Sequence, residues 1–225
     1  MIDGPLQAIA GVPESALDDA TAAKLPPAAP PAPWPAVADA VVWLHRAAPG
    51  ATLLQLGDLR GRPAIPLTVG AFIRYRETPV GPYDEILAAP VVLAERPLPA
   101  ATVPFIAVDS LASLRGGREQ WALPKTLARF TFAGDTARAE GDGWSVAARV
   151  RARPRELPVA LALRDRQPLP GGGSALVDIR LRGRARLGRV AVTAEGPELP
   201  SWLLPGPHPA LVIRGGRMTF GAPRG

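Results

Sequence analysis

The sequence predicts a mainly β (α+β) protein, one closed or nearly closed antiparallel barrel with a few short helices. Three observations carry this. From Ala38 onward, short apolar runs recur between Gly and Pro breaks. Several runs alternate with period two. In SVAARVRAR, for example, Val146, Ala148, Val150 and Ala152 fall on one face and Arg149, Arg151 and Arg153 on the other. Helix signals are scarce, and closure into a barrel disposes of exposed sheet edges.

The elements follow in order. Residues 1–36 form a Pro-rich N-terminal arm. It opens with one possible short helix, where Glu14, Asp18 and Asp19 stand among alanines. The prolines at 26, 27, 30, 31, 33 and 35 then forbid helix and central strand. This arm is expected to pack across the surface or reach a neighbouring subunit, with Trp34 as its anchor. Residues 37–225 form a single domain. Its strand candidates are AVVWLHRA, ATLLQLGDL, AIPLTVGAFIRYRET, EILAAPVVLA, TVPFIAVD, ARFTFAG, ARAEG, WSVAARVRA, VALALRD, ALVDIRLRG, ARLGRVAVTAEG and ALVIRGGRMTFG. One helix is placed at Ser110–Leu114, with an acid and a serine before its apolar residues and glycines after them. The run Gly171–Gly173 lacks the spacing and the Lys-Ser/Thr of a phosphate-binding loop and reads as a connection between strands.

Composition narrows the chemistry. A chain of 225 residues suits one large all-β domain, and 47% apolar with 20% charged residues is a globular balance. The absence of cysteine excludes disulfides, thiolate zinc sites, iron–sulfur clusters and a cysteine nucleophile. His45 and His208 lie far apart in the chain, which argues against a histidine-rich metal site. No metal is expected. The net charge of +6 invites a nucleic-acid partner. Yet of 26 lysines and arginines only Lys24 and Lys125 are lysine, so arginine has taken over the surface-cation role. Arg180, Arg182, Arg184 and Arg186 share one strand face, but no aromatics interleave with them for base stacking, and a solvated face is the simpler reading. No nucleic-acid partner is expected. The N-terminus does not resemble a secretory signal, and no uninterrupted apolar run reaches the ~18 residues of a membrane helix. A cytoplasmic protein without membrane association is expected.

Two segments carry chemistry: VGPYDEILAAP at 80–90 and SLRGGREQWALPKTLARF at 113–130. The first sets Asp84 and Glu85 after a Gly-Pro-Tyr turn. The second sets Arg118 and Glu119 before a Pro-Lys step. Lys125 lies among Leu123, Pro124, Leu127 and Ala128. Burial disfavours an ammonium and lowers its pKa. A neutral amine attacks a ketone or aldehyde and forms a Schiff base, an electron sink for making or breaking carbon–carbon bonds.

Gly-Arg-Glu, four residues, then Pro-Lys, as in GREQWALPK, resembles the acetoacetate decarboxylase superfamily, and GPYDE resembles the segment that supplies that family's active-site glutamate. The resemblance covers about residues 65–130. It implies a cone-like antiparallel β-barrel of the acetoacetate decarboxylase type, Lys125 as the Schiff-base nucleophile and Glu85 as the carboxylate that orients substrate or handles a proton. Arg118 and Glu119 match the motif's Arg-Glu pair. Tyr83, Arg74, Arg118 and Gln120 are candidates to bind a carboxylate or carbonyl oxygen, arginine being suited to a bidentate grip. The implied reaction is that of a lysine-dependent carbon–carbon lyase, a decarboxylase or an aldolase-dehydratase, acting on a small keto acid or related carbonyl compound. No organic cofactor is needed, and a homo-oligomer is implied. Two departures stand out. Thr126 occupies the place of the second lysine that follows the nucleophile in the family's decarboxylases. Counting back from Glu85 without gaps, another family glutamate falls on Gly70. The rival reading is a non-catalytic β-barrel that binds a small carboxylated or apolar ligand.

Overall fold

In the computed structural model, residues 17–55 and 57–225 are described. Glu14, assigned to the possible N-terminal helix, lies outside them. Asp18 caps a single turn, α1 (Asp19–Ala22), its side chain accepting from the Thr21 N–H at 2.6 Å. Among the described residues, fourteen strands form one sheet. They are β1 (Trp34–Arg46), β2 (Ala64–Ile65), β3 (Leu67–Glu77), β4 (Tyr83–Ala89), β5 (Val92–Leu93), β6 (Ala100–Ala101) and β7 (Phe105–Val108). After helix α2 (Leu111–Trp121) come β8 (Thr126–Leu127), β9 (Arg129–Ala133), β10 (Thr136–Gly141) and β11 (Trp144–Ala152). The chain ends with β12 (Leu157–Pro168), β13 (Ser174–Glu195) and β14 (Gly206–Phe220).

The fold is mainly β with few helices, but the ladder does not close. Its path runs β2-β5-β6-β12-β13-β14-β1-β3-β4-β7-β8, with β11, β10 and β9 branching from β13. The branch has a simple cause. β13 is 22 residues long and spends one edge on two partners. Ser174–Ala185 pair with β12, and Gly188–Glu195 pair with β11. The sheet therefore divides at Gly188, where a Cβ would stand 2.7 Å from the Arg151 carbonyl oxygen. The path's two ends, β2 and β8, are two-residue strands, and the branch ends on the five-residue β9.

The buried parity of β13 also switches at this point. Leu181 and Ala185 join a core with Ala38, Ile73, Tyr75, Val108 and Leu114. Val190 and Val192 join a second core with Trp43, Phe72, Phe105, Val146 and Trp202. Strands β3 and β4 separate the two: Phe72 and Ile86 pack into one, Ile73 and Tyr83 into the other.

Four local departures from sequence-based expectation have physical reasons. ATLLQLGDL forms 3₁₀ turns at Ala51–Leu54 and Gly57–Leu59, because Gly50 and Gly57 adopt positive φ and break extension. ALVDIRLRG and ARLGRVAVTAEG merge into β13, since Gly183 continues the strand through a register shift against β14. Pro35 lies inside β1, a central strand, but there it pairs only with Thr219 of β14; pairing with β3 begins at Val37. Finally, α2 runs through Gly116 and Gly117 to Trp121 and ends at Ala122, which has φ 53°.

The arm packs on its own chain. Trp34 and Trp121 meet edge to face at 4.9 Å, the Trp34 indole N–H donates to the Pro30 carbonyl, and Arg115 donates to that of Pro26. Among the described residues no helix is long and apolar enough to cross a membrane.

Candidate active site

The site lies between α2 and the face of β3 and β4 that carries Tyr75, Tyr83 and Glu85. Ser110 caps α2 by accepting from the Ser113 N–H, which fixes the helix start. One turn separates Ser113 from Gly117, so both face the same side. The Lys125 side chain lies across that side. A Cβ on Gly117 would stand 2.5 Å from Lys125 Cδ and 2.6 Å from Cε. The glycines expected to end the helix are instead kept inside it by close approach. Gly117 admits the lysine, and Gly116 admits the ring of Trp34.

Lys125 and Glu85 are each only 2% exposed. Lys125 Nζ donates to Glu85 Oε2 at 2.7 Å and to Ser113 Oγ at 3.0 Å. The Tyr75 hydroxyl donates to Glu85 Oε1 at 3.2 Å. The two tyrosines stack at 4.4 Å. Nζ also lies 5.1 Å from the centre of the Tyr83 ring, a cation–π distance. The amine is thus enclosed by Glu85, Ser113 and the two stacked tyrosines, with Tyr75 bonded to Glu85. Burial, and then the charge of Glu85, push both phenols well above their ordinary value, so they stay neutral donors.

Arg118 holds the lysine's backbone. Its Nε donates to the Lys125 carbonyl at 2.8 Å. Burial draws the guanidinium down to about 10, and it remains a cation at neutral pH. Glu119 pairs with Arg115 at 2.6 Å, one turn away on α2. Gln120 Oε1 accepts from the Ala32 N–H at 3.3 Å and ties down the arm. Arg74 is on the opposite face of β3. It forks onto Asp84, at 3.0 and 3.2 Å, and lies 4.1 Å over the Phe132 ring. The structure therefore gathers Lys125, Glu85, Tyr83 and Arg118, and sets Gln120 and Arg74 to other contacts. Tyr75 and Ser113 were missed by sequence reasoning. Helical spacing from Gly117 points to Ser113, and hairpin pairing of Tyr75 with Tyr83 points to Tyr75.

The two departures from the family pattern also find places. Thr126 sits one strand position beyond Lys125, where its hydroxyl donates to the Ile106 carbonyl at 3.3 Å. Gly70 lies on the face opposite Glu85, because Glu85 pairs with Ile73 and faces alternate. The ring of Trp43 covers it, 2.3 Å from where a Cβ would be. A carboxylate at position 70 could not join Glu85. The β3 position with the right parity is Ala71.

A cleft of about 360 Å³ at the β3–β4 turn is lined by the two tyrosines together with Arg74, Arg76, Pro82, Asp84 and Asp109. Tyr83 lines this cleft, and its ring centre lies 5.1 Å from Lys125 Nζ.

The sequence profile of the acetoacetate decarboxylase (ADC) family matches residues 55–158, a stretch that contains both Glu85 and Lys125. No curated protein matches the chain by sequence. Solved structures do match by fold. An acetoacetate decarboxylase from Legionella pneumophila has a TM-score of 0.59 at 17% identity, with 87% of each chain covered. An acetoacetate decarboxylase-like enzyme from Sphingomonas wittichii has a TM-score of 0.58 at 17% identity, covering 88% of this chain and 96% of that one. The enduracididine biosynthesis enzyme MppR, solved with pyruvate, has a TM-score of 0.59 at 14% identity, covering 87% and 90%. The family profile spans the segments that carry Glu85 and Lys125, and the chain shares its fold over most of its length with solved acetoacetate decarboxylases and related enzymes.

Proposed function

We propose that the chain is a Schiff-base-forming carbon–carbon lyase acting on a small keto acid or related carbonyl compound. The observation that carries this reading is the enclosed Lys125–Glu85 pair, 2.7 Å apart. An ammonium cannot attack a carbonyl, so a proton acceptor must stand within reach, and Glu85 does. Glu85 takes the ammonium proton, the neutral amine adds to the substrate carbonyl, and that proton leaves with the carbonyl oxygen as water, giving an iminium ion. A bond on the carbon β to the nitrogen then breaks or forms, with its electrons held as an enamine. In decarboxylation carbon dioxide departs, a proton drawn from water by way of Glu85 is added to carbon, and hydrolysis of the iminium frees Lys125 as its ammonium. In aldol chemistry the enamine adds to a second carbonyl, and Glu85 moves the protons that permit dehydration. Both routes share the imine and the proton carrier. Substrate reaches the amine from the cleft beside Tyr83 once that ring turns aside. A homo-oligomer remains part of this proposal.

Proton NMR in D₂O tests it. Pyruvate and acetoacetate are supplied separately, and exchange of their carbon-bound hydrogens through the enamine is followed. Wild-type protein should accelerate exchange with at least one of them. Lys125→Arg should not, because arginine stays protonated. Glu85→Gln should slow exchange while leaving imine formation less affected. Exchange by Lys125→Arg at the wild-type rate would refute the assignment.

A further inference from the structure

A second cavity, of about 300 Å³, lies on the other side of β3 from Lys125, between β1, β3 and β14 and the β9–β11 layer. That volume is at the small end of ligand sites. Its lining is divided. Val41, Phe72, Phe132, Val150, Val212 and Ile213 make an apolar floor. Arginines gather at one end. Arg76 and Arg214 both contact Asp39, Arg214 at 3.4 Å, and both keep their side chains more than half exposed. Asp39 itself is buried, and that pushes its carboxyl up, but hydrogen bonds from Arg76 and the Gly215 N–H outweigh burial and hold it below its ordinary value. Arg74 is neutralised by Asp84, and Asp135 faces Arg149 at 3.9 Å. Four guanidiniums thus face three carboxylates, which leaves one positive charge in excess at the mouth of an apolar pocket. Two cations share Asp39, so guanidinium N–H groups remain for another acceptor.

We infer that this cavity is a binding site for an amphipathic carboxylate, its head on Arg214 and Arg76 and its hydrocarbon chain on the Val41–Phe72–Val150 floor. The pairing follows from chemistry. A guanidinium grips a carboxylate with two parallel hydrogen bonds, and the apolar floor favours a chain over a hydrated polar tail. The site uses neither Lys125 nor Glu85, although Arg74 and Arg76 also line the cleft beside the tyrosines.

Isothermal titration with sodium octanoate tests the inference, with octanol as the ligand lacking the carboxylate head and acetate as the ligand lacking the chain. Octanoate should bind saturably and more tightly than either. Arg214→Gln should weaken it about tenfold, the loss expected for one charge-assisted contact. Val150→Phe, which fills the floor, should abolish binding, and thermal melts should show both variants folded. Lys125→Ala should bind octanoate as the wild type does, which separates this site from the lyase centre. The inference is overturned by no saturation below about 10 mM, the weak limit of a specific small-ligand site. It is equally overturned if binding survives Arg214→Gln and Val150→Phe unchanged, or disappears in Lys125→Ala.

Discussion

Replacing Gly117 by alanine sets two effects of opposite sign against each other. Inside a helix, alanine is favoured over glycine by about 1 kcal/mol. Propensity alone therefore predicts a stabilised protein. The added methyl, however, would stand 2.5, 2.6 and 3.1 Å from three carbons of the Lys125 stem. That stem has little freedom to yield, because its amine is held by Glu85 and Ser113 and its side chain is 3% exposed. Overpacking a tight site costs about 1–3 kcal/mol. The balance is a net loss of about 1 kcal/mol, together with a displaced amine. Displacement by about 1 Å costs on the order of 100-fold in a positioned reaction. Urea denaturation reads the first quantity and the D₂O exchange rate the second. Gly171→Ala, where nothing lies within 4 Å of the new methyl, is the control. A Gly117→Ala protein stabilised by about 1 kcal/mol with unchanged exchange would show that Gly117 does not exist to admit the lysine.

Three further outcomes are expected. Burial raises the Asp165 carboxyl from 3.8 to about 7, against weaker opposition from Gln167. The folded state therefore holds a proton that the unfolded state releases, and this stabilisation declines as pH rises from about 4 to 7, by up to about 4 kcal/mol. Asp165→Asn should flatten that decline in urea midpoints; an unchanged slope would contradict it. His45 behaves in the opposite sense. Burial lowers its pKa below 6.5, and it stacks on His208 at 4.9 Å while accepting from the Leu204 N–H. Its contribution is present above pH 6.5 and is lost as pH falls, so His45→Gln should reduce the acid-side loss of stability, and an equal loss in both proteins would refute this. Arg180 and Arg182 are exposed, whereas Arg184 and Arg186 share Glu156. Changing Arg180 and Arg182 together to glutamine should move stability by less than about 0.5 kcal/mol, and salt-sensitive DNA or RNA binding lost in that protein would revive the nucleic-acid reading.

The chain's local rules were legible where a single partner decided the outcome. Alternation in β11 marked its buried face, and the Ser110 cap marked the start of α2. The same rules failed where tertiary contacts compete. Gly116 and Gly117 look like a helix stop, yet Trp34 and Lys125 require them inside the helix. Pro35 looks incompatible with a central strand, yet its stretch of β1 has only one neighbour. Sheet closure could not be read because β13 divides its edge between two partners far apart in sequence. In the site, Lys125 and Glu85 were marked by the GREQWALPK and GPYDE segments. Ser113 and Tyr75 carry no motif and emerge only when α2 packs over the β3–β4 hairpin. Arg74 was chosen for its charge, but strand parity sends it to the opposite face.

The central claim is that Lys125 is a nucleophile and not merely a buried cation. Borohydride reduction in the presence of pyruvate or acetoacetate, followed by peptide mass spectrometry, tests it most directly. Reduction makes the imine permanent and records which amine formed it. The account predicts an adduct on Lys125, none on Lys24, and none at all in Lys125→Arg. An unmodified Lys125 with every small keto acid tried, or modification confined to Lys24, would contradict it.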